Sequence, residues 1–97
     1  MDDSVIIGKV LESMRLRIKL TQQSAANQAG FRSAGTIAHY EAGERQVTVV
    51  TLLRLLDVYQ VSLDTFVQEI NTLRRKTPGE YNGLSTMSSM LEDVPQG

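Results

Sequence analysis

The stretch that decides the fold is TQQSAANQAGFRSAGTIAHYEAGER, Thr21 to Arg45. Thr21 precedes a run of good helix formers, and a threonine there can accept a hydrogen bond from the free amides of a first helical turn. Gly30 closes that run, because glycine readily takes the left-handed conformation that follows a last turn. Ser33 is the next capping residue, and beyond it Ile37 and Tyr40 stand three apart before Gly43 gives a second stop. The stretch therefore reads as two short helices, 22–29 and 34–42, joined by a tight turn.

Apolar residues on either side repeat at helical spacing. Ile6, Ile7, Val10, Leu11, Met14 and Ile18 share one face of a helix over 5–19, with Ser4 as its cap. Val49, Leu52, Leu53, Leu56 and Tyr59 make a stripe over 48–59 behind Thr48. Ser62 opens a fifth helix over 63–75, carrying Leu63, Phe66, Val67, Ile70 and Leu73. Only VTVV, residues 47–50, hints at strand alternation, and it is too short to outweigh the helix around it. The expected fold is all-α, with five helices in one domain over residues 1–76.

From Thr77 the composition shifts to proline, glycine, serine and threonine, which reads as a flexible C-terminal tail over 77–97. Leu84, Met87, Met90 and Leu91 nevertheless fall at helical spacing, so a turn or two of amphipathic helix that docks on something is the other reading.

The 97 residues suffice for one modest core. Absence of cysteine excludes disulfides, thiolate metal sites and cysteine nucleophiles. The acidic start MDDSVIIGKV has neither the basic flank nor the apolar length of a signal peptide or membrane span, so a cytoplasmic protein with no membrane partner is expected. Net charge is −1, but between Val5 and Gln60 seven cations stand against four anions, an excess of three, while only anions follow Lys76. That segment is mildly basic, which suits an anionic partner and equally suits an ordinary mixed surface.

Two short helices around a glycine-containing turn, behind a first helix with basic residues, form a helix-turn-helix pattern. TQQSAANQAGF, TIAHYEAGER and VTVVTLLRLLDVYQVSLDTF, in that order, resemble the Xre/Cro-like (lambda-repressor-like) family of repressor DNA-binding domains over about residues 6–70. The resemblance implies a sequence-specific DNA-binding transcriptional regulator, a repressor acting as a homodimer on a palindromic operator of double-stranded DNA, with no cofactor. A protein-interaction module on the same scaffold, such as an antitoxin or adaptor taking a protein partner through the tail, is the alternative.

The resemblance also assigns residues. Arg15 and Glu41 stand where the family links its first helix to the end of the third. Arg32, Ser33, Ala34, Gly35, Thr36, Ala38 and His39 occupy the base-reading region, and of the helical ones only Thr36 and His39 can hydrogen-bond to a base edge. Arg17, Lys19, Thr21, Gln22 and Arg45 are the phosphate contacts, Thr21 and Gln22 sitting where a helix start attracts anions. Two departures stand out: one extra residue lengthens the turn around FRS, and Glu44 takes a place where a basic residue is frequent. Beyond the resemblance, the stripe of the fifth helix runs past where the family's domain often ends, and Phe66, Ile70 and Leu73 are assigned to a dimer interface. Core is the other reading for Phe66, with Leu63 and Val67; core capping or contact with the tail is the other reading for Ile70 and Leu73.

Other chemistry finds little support. GFRSAGT has no lysine and follows no strand, which excludes a phosphate-cradling loop. His39 is the single histidine, without cysteines or clustered carboxylates beside it, so no metal site is expected. No nucleophile, base and orienting group stand together, and the chain does not read as an enzyme.

Overall fold

A computed structural model describes residues 2–76 of the chain. Among the described residues there are five α-helices and no strand: α1 (Asp3–Arg17), α2 (Gln22–Ala29), α3 (Ala34–Glu41), α4 (Val49–Tyr59) and α5 (Leu63–Arg75). The all-α expectation holds; the tail assigned to 77–97 lies outside these residues.

Three helices start on a side-chain cap. The hydroxyl oxygens of Thr21, Thr48 and Ser62 accept from the backbone N–H of Ser24, Thr51 and Thr65 at 3.0, 3.2 and 3.1 Å. Each such cap stabilises its helix by about 1 kcal/mol. Ser33 has the extended backbone of a cap, but its side chain makes no capping bond.

The first helix departs from its expected bounds at both ends. It begins at Asp3 rather than after Ser4, because the Asp2 carbonyl already accepts from Val5 and Ile6. It ends at Arg17 rather than residue 19, because Lys19 turns left-handed at φ 60° and lets the Leu20 N–H reach back to the Arg15 carbonyl at 3.2 Å. Gly30 ends α2 in the same way at φ 82°, with Phe31 bonding back to Ala26 at 2.8 Å. These back-bonds satisfy carbonyls that the last turn leaves open.

The core explains the topology. α2 lies on α3, α1 on both α3 and α5, and α4 on α2 and α5. Placed between two neighbours, α1 buries a broad arc: Ile6, Val10, Leu11 and Met14. Ile37 and Tyr40 of α3, Leu55, Leu56 and Tyr59 of α4, and Ala25, Ala26 and Ala29 of α2 complete it. Each large side chain removed from water contributes about 1.5–3 kcal/mol. Phe66 and Ile70, expected at a dimer interface, are instead 4% and 8% exposed within this core, and Leu73 is half-buried against it. The cause is the packing of α5 on α1 and α4, which covers Phe66 and Ile70 while Leu63 and Val67 of the same stripe stay exposed.

Gly8 lets α1 approach the end of α3. A Cβ there would lie 2.3 Å from the Tyr40 carbonyl oxygen and 2.6 Å from that of Glu41. Next to this contact Arg15 and Glu41 pair. Arg15 Nε donates to Glu41 Oε2 at 2.6 Å and Nη2 to Oε1 at 3.0 Å, with the two side chains 7% and 4% exposed. Arg15 Nη1 donates to the Leu20 carbonyl at 2.7 Å, so one guanidinium holds both the end of α3 and the loop before α2. The hydrogen bond to Glu41 raises the Arg15 pKa further above its ordinary value.

The neighbouring Tyr59 hydroxyl is buried without a hydrogen-bond partner. Burial first, and the Glu41 charge second, push its pKa up to about 12.

Two outcomes follow. Gly8→Ala is expected to lower stability in urea melts by more than about 1–3 kcal/mol, since backbone rather than a flexible side chain must yield; an unchanged midpoint would contradict the close approach. Tyr59→Phe is expected to raise stability at pH 7 by about 1 kcal/mol, since it removes an unpaired buried hydroxyl. Because the folded-state pKa is raised, the neutral phenol favours the fold below the unfolded value of about 10, and that contribution is lost as pH rises towards 12. The variant should therefore lose less stability than the parent over that alkaline range, measured by paired urea melts.

Candidate nucleic-acid interface

The inner side of α3 is fixed by Ile37, Tyr40 and Glu41, all buried. The Tyr40 ring meets Phe31 edge-on, centroids 6.3 Å apart at 61°, which ties the turn to the helix it introduces. At 100° per residue the opposite side carries Gly35, His39 and Ala42, and all three are exposed. Ala34, Thr36 and Ala38 flank it, half-buried. Ala42 belongs to this face but was not among the residues assigned by resemblance. The helical wheel would have found it, three residues beyond His39 and seven beyond Gly35.

The lengthened turn leaves Arg32 and Ser33 exposed just ahead of α3. They stand beside a helix face that is otherwise almost bare. A Cβ on Gly35 would meet nothing closer than the Ser33 hydroxyl at 3.4 Å, so the start of α3 can approach another surface at backbone distance.

His39 is the one large polar group on this face, and Glu44 holds it. His39 Nδ1 and Glu44 Oε1 are 2.7 Å apart, with the side chains 53% and 63% exposed. An ionised carboxylate only accepts, so Nδ1 carries the proton and donates. In the neutral ring Nε2 is then left as an acceptor, suited to an exocyclic amino group of adenine or cytosine; in the charged ring it becomes a donor. Glu44, the departure from the basic residue frequent in the family, thus orients the histidine.

The five expected phosphate contacts divide. Lys19 and Arg45 are exposed cations, as is Arg32 of the base-reading set, and Lys19 is displayed on its left-handed turn immediately before α2. Thr21 accepts from Ser24 and keeps its hydroxyl proton for donation. Gln22 is half-buried and donates through Nε2 to Glu41 Oε1 at 2.9 Å, so it belongs to the ion-pair network as well as to the start of α2. Arg17 is exposed too, and its guanidinium is held by Glu69 of α5 through two bonds of 2.6 Å. Hydrogen bonding to Arg17 holds the Glu69 carboxyl below its ordinary pKa.

Among the described residues no three His, Cys, Asp or Glu side chains cluster as a metal site, and no helix is long and apolar enough to cross a membrane. The arrangement offers a rigidly held helix with a bare outer face, one oriented imidazole and flanking cations. It suits a polyanion with readable edges better than a small ligand.

A family model described as a helix-turn-helix domain matches residues 6–67. No curated protein sequence matches the chain. Among solved structures, two of the clp gene regulator ClgR from Corynebacterium glutamicum resemble the fold. One has a TM-score of 0.77 at 16% identity, covering 93% of this chain and 95% of that one; the other has 0.70 at 19%, covering 74% and 92%. The restriction-modification controller protein C.AhdI from Aeromonas hydrophila aligns with a TM-score of 0.60 at 25% identity, covering 70% of this chain and 96% of that one. With its two-helix motif locked to α1 and a family match over most of its described length, the chain belongs to the helix-turn-helix domain family.

Proposed function

We propose that this protein is a sequence-specific DNA-binding transcriptional regulator, a cytoplasmic repressor that acts without a cofactor. The observation that carries the reading is α3: Glu41 fixes its inner side to α1, while its outer side presents Gly35, His39 and Ala42. A major groove admits such a helix, and bare side chains bring its backbone close to the bases. Lys19, Arg32, Arg45 and the N–H groups opening α2 supply the phosphate contacts that set register.

With so few base-reading groups, one domain would distinguish sequences weakly. Two copies on a palindrome would multiply the discrimination, with half-sites one helical turn apart, about 10–10.5 base pairs. Since Phe66 and Ile70 are core residues, the homodimer would use aliphatic side chains that remain exposed: Val49, Val50 and Leu53 on α4, or Leu63 and Val67 on α5.

Selection of bound duplexes from a random pool, followed by a salt titration of the selected site, tests the reading. A two-fold symmetric motif is expected, with affinity falling linearly on a log–log salt plot. Lys19→Glu with Arg45→Glu should reduce that slope by about 2, since each lost phosphate contact removes about 0.9. Recovery of no motif, or binding indifferent to salt, would reject it.

His39 and Glu44 give a finer expectation. His39→Ala should relax preference at one base pair per half-site by about 1–3 kcal/mol, and Glu44→Gln should alter preference at that same position. A change at different positions, or none, would show that the imidazole does not read a base.

A further inference from the structure

The way α3 stops brings two side chains together. Glu44 N–H donates to the His39 carbonyl at 3.0 Å and Gly43 N–H to the Tyr40 carbonyl at 3.1 Å, with Gly43 left-handed at φ 77°. Such a paired closure sets the third residue from a helix end against the second residue past its cap, where an apolar contact is common. Here those two residues are His39 and Glu44, and the contact is polar, Nδ1 to Oε1 at 2.7 Å. α1 packs against the turn, since a Cβ on Gly43 would lie 2.7 Å from Val5 Cγ2. The meeting of imidazole and carboxylate is therefore built into the helix stop rather than left to two free side chains.

That meeting decides which ring nitrogen holds the proton of a neutral imidazole. Nδ1 keeps it for the carboxylate, and Nε2 carries a lone pair. A second proton, taken from solvent, goes to Nε2 and turns the outward nitrogen from acceptor into donor without moving the ring. In the major groove the bases answer the two states differently. Adenine and cytosine offer an exocyclic amino donor to the lone pair, whereas guanine offers two acceptors, N7 and O6, to the N–H.

Little else on this face would mask the change. Gly35 and Ala42, exposed one turn to either side, have no polar side-chain group, and the Thr36 hydroxyl both donates and accepts. Glu44, from the loop after α3, is the charged group held against the ring. On α3 itself Glu41 is turned inward to Arg15, and Arg32 before the helix and Arg45 after it are the exposed cations next along the chain.

We propose that His39, positioned by Glu44, makes the base preferred by α3 depend on a proton: adenine or cytosine when the ring is neutral, guanine when it is charged. This switch rests on the DNA-reading role proposed for α3 and adds to it a response to pH. Glu44 is the positioning residue, because without it a neutral ring is free to carry its proton on Nε2 and to accept guanine as the charged ring does.

Selection of duplexes by the full chain at about pH 8.5 and again at about pH 5, on either side of the range in which histidine changes charge, tests the switch. At one column per half-site the base is expected to change from adenine or cytosine to guanine. On duplexes that differ only there, each preference should be about fivefold or more. Glu44→Ala should accept guanine at both pH values, and His39→Gln should select one motif at both. Because His39 is the only histidine, the nitrogen resonances of the isotopically enriched imidazole locate the proton directly. A protonated Nδ1 and a bare Nε2 are expected at the higher pH, and Glu44→Ala should lose that preference. The reverse tautomer in the parent protein overturns the proposal. A salt-dependent motif that keeps the same base in every column at both pH values also overturns it, while leaving the DNA-reading role intact. Recovery of no motif at either pH rejects that role, and the switch with it.

Discussion

The buried pair between Arg15 and Glu41 is the constraint on which the rest of the molecule depends. It joins residues 26 apart in sequence and makes three elements into one body: α1 through the arginine stem, α3 through the carboxylate, and the loop before α2 through the bond to the Leu20 carbonyl. Removing both charges from water costs about as much as their attraction returns, so the pair is better understood as fixing an angle than as adding stability. Gly8 allows this geometry, because the bond can be short only if α1 comes down to backbone distance from the last turn of α3. Gln22 completes the network from the third side and carries the same constraint into the first turn of α2.

On the proposed function, position and recognition fall on opposite sides of a single eight-residue helix. Everything that holds α3 faces inward, and the large residues Ile37, Tyr40 and Glu41 are there. The outward side has so little chemistry that orientation of its one imidazole matters. A histidine with two free nitrogens could present either a donor or an acceptor; the Glu44 carboxylate removes that choice for the neutral ring. Sequence-dependent groove shape then has room to contribute, since a smooth face can follow a groove closely without discriminating its edges.

Much of the fold was legible because its signals are local. Thr21, Thr48 and Ser62 announce helix starts by chemistry that acts within one turn, and apolar spacing gives the faces of α1, α4 and α5. The end of α1 was not legible, since Lys19 adopts a backbone conformation for which lysine carries no signal. Periodicity also says that Phe66 and Ile70 are inside something without saying what. Only the packing of α5 on α1 and α4 shows that the something is this same chain. At the interface, Arg15 and Glu41 could be matched to a family position, whereas Arg17 could not be separated from Lys19 by type or spacing. What separates them is Glu69, 52 residues away from Arg17 in sequence.

Because the anchoring side chains and the outward ones do not overlap, the specificity proposed for α3 is open to revision without loss of the contacts that hold the scaffold. Gly35 shows this most clearly: a Cβ added there makes only an ordinary contact with the Ser33 hydroxyl at 3.4 Å, and replacing a helical glycine by alanine favours the helix by about 1 kcal/mol. Substitutions at Gly35, His39 and Ala42 would then rewrite an address while leaving the chassis intact. A lineage built on this architecture could diverge quickly in what it recognises and slowly in how it folds, and the bareness of the present face leaves much of that space unoccupied.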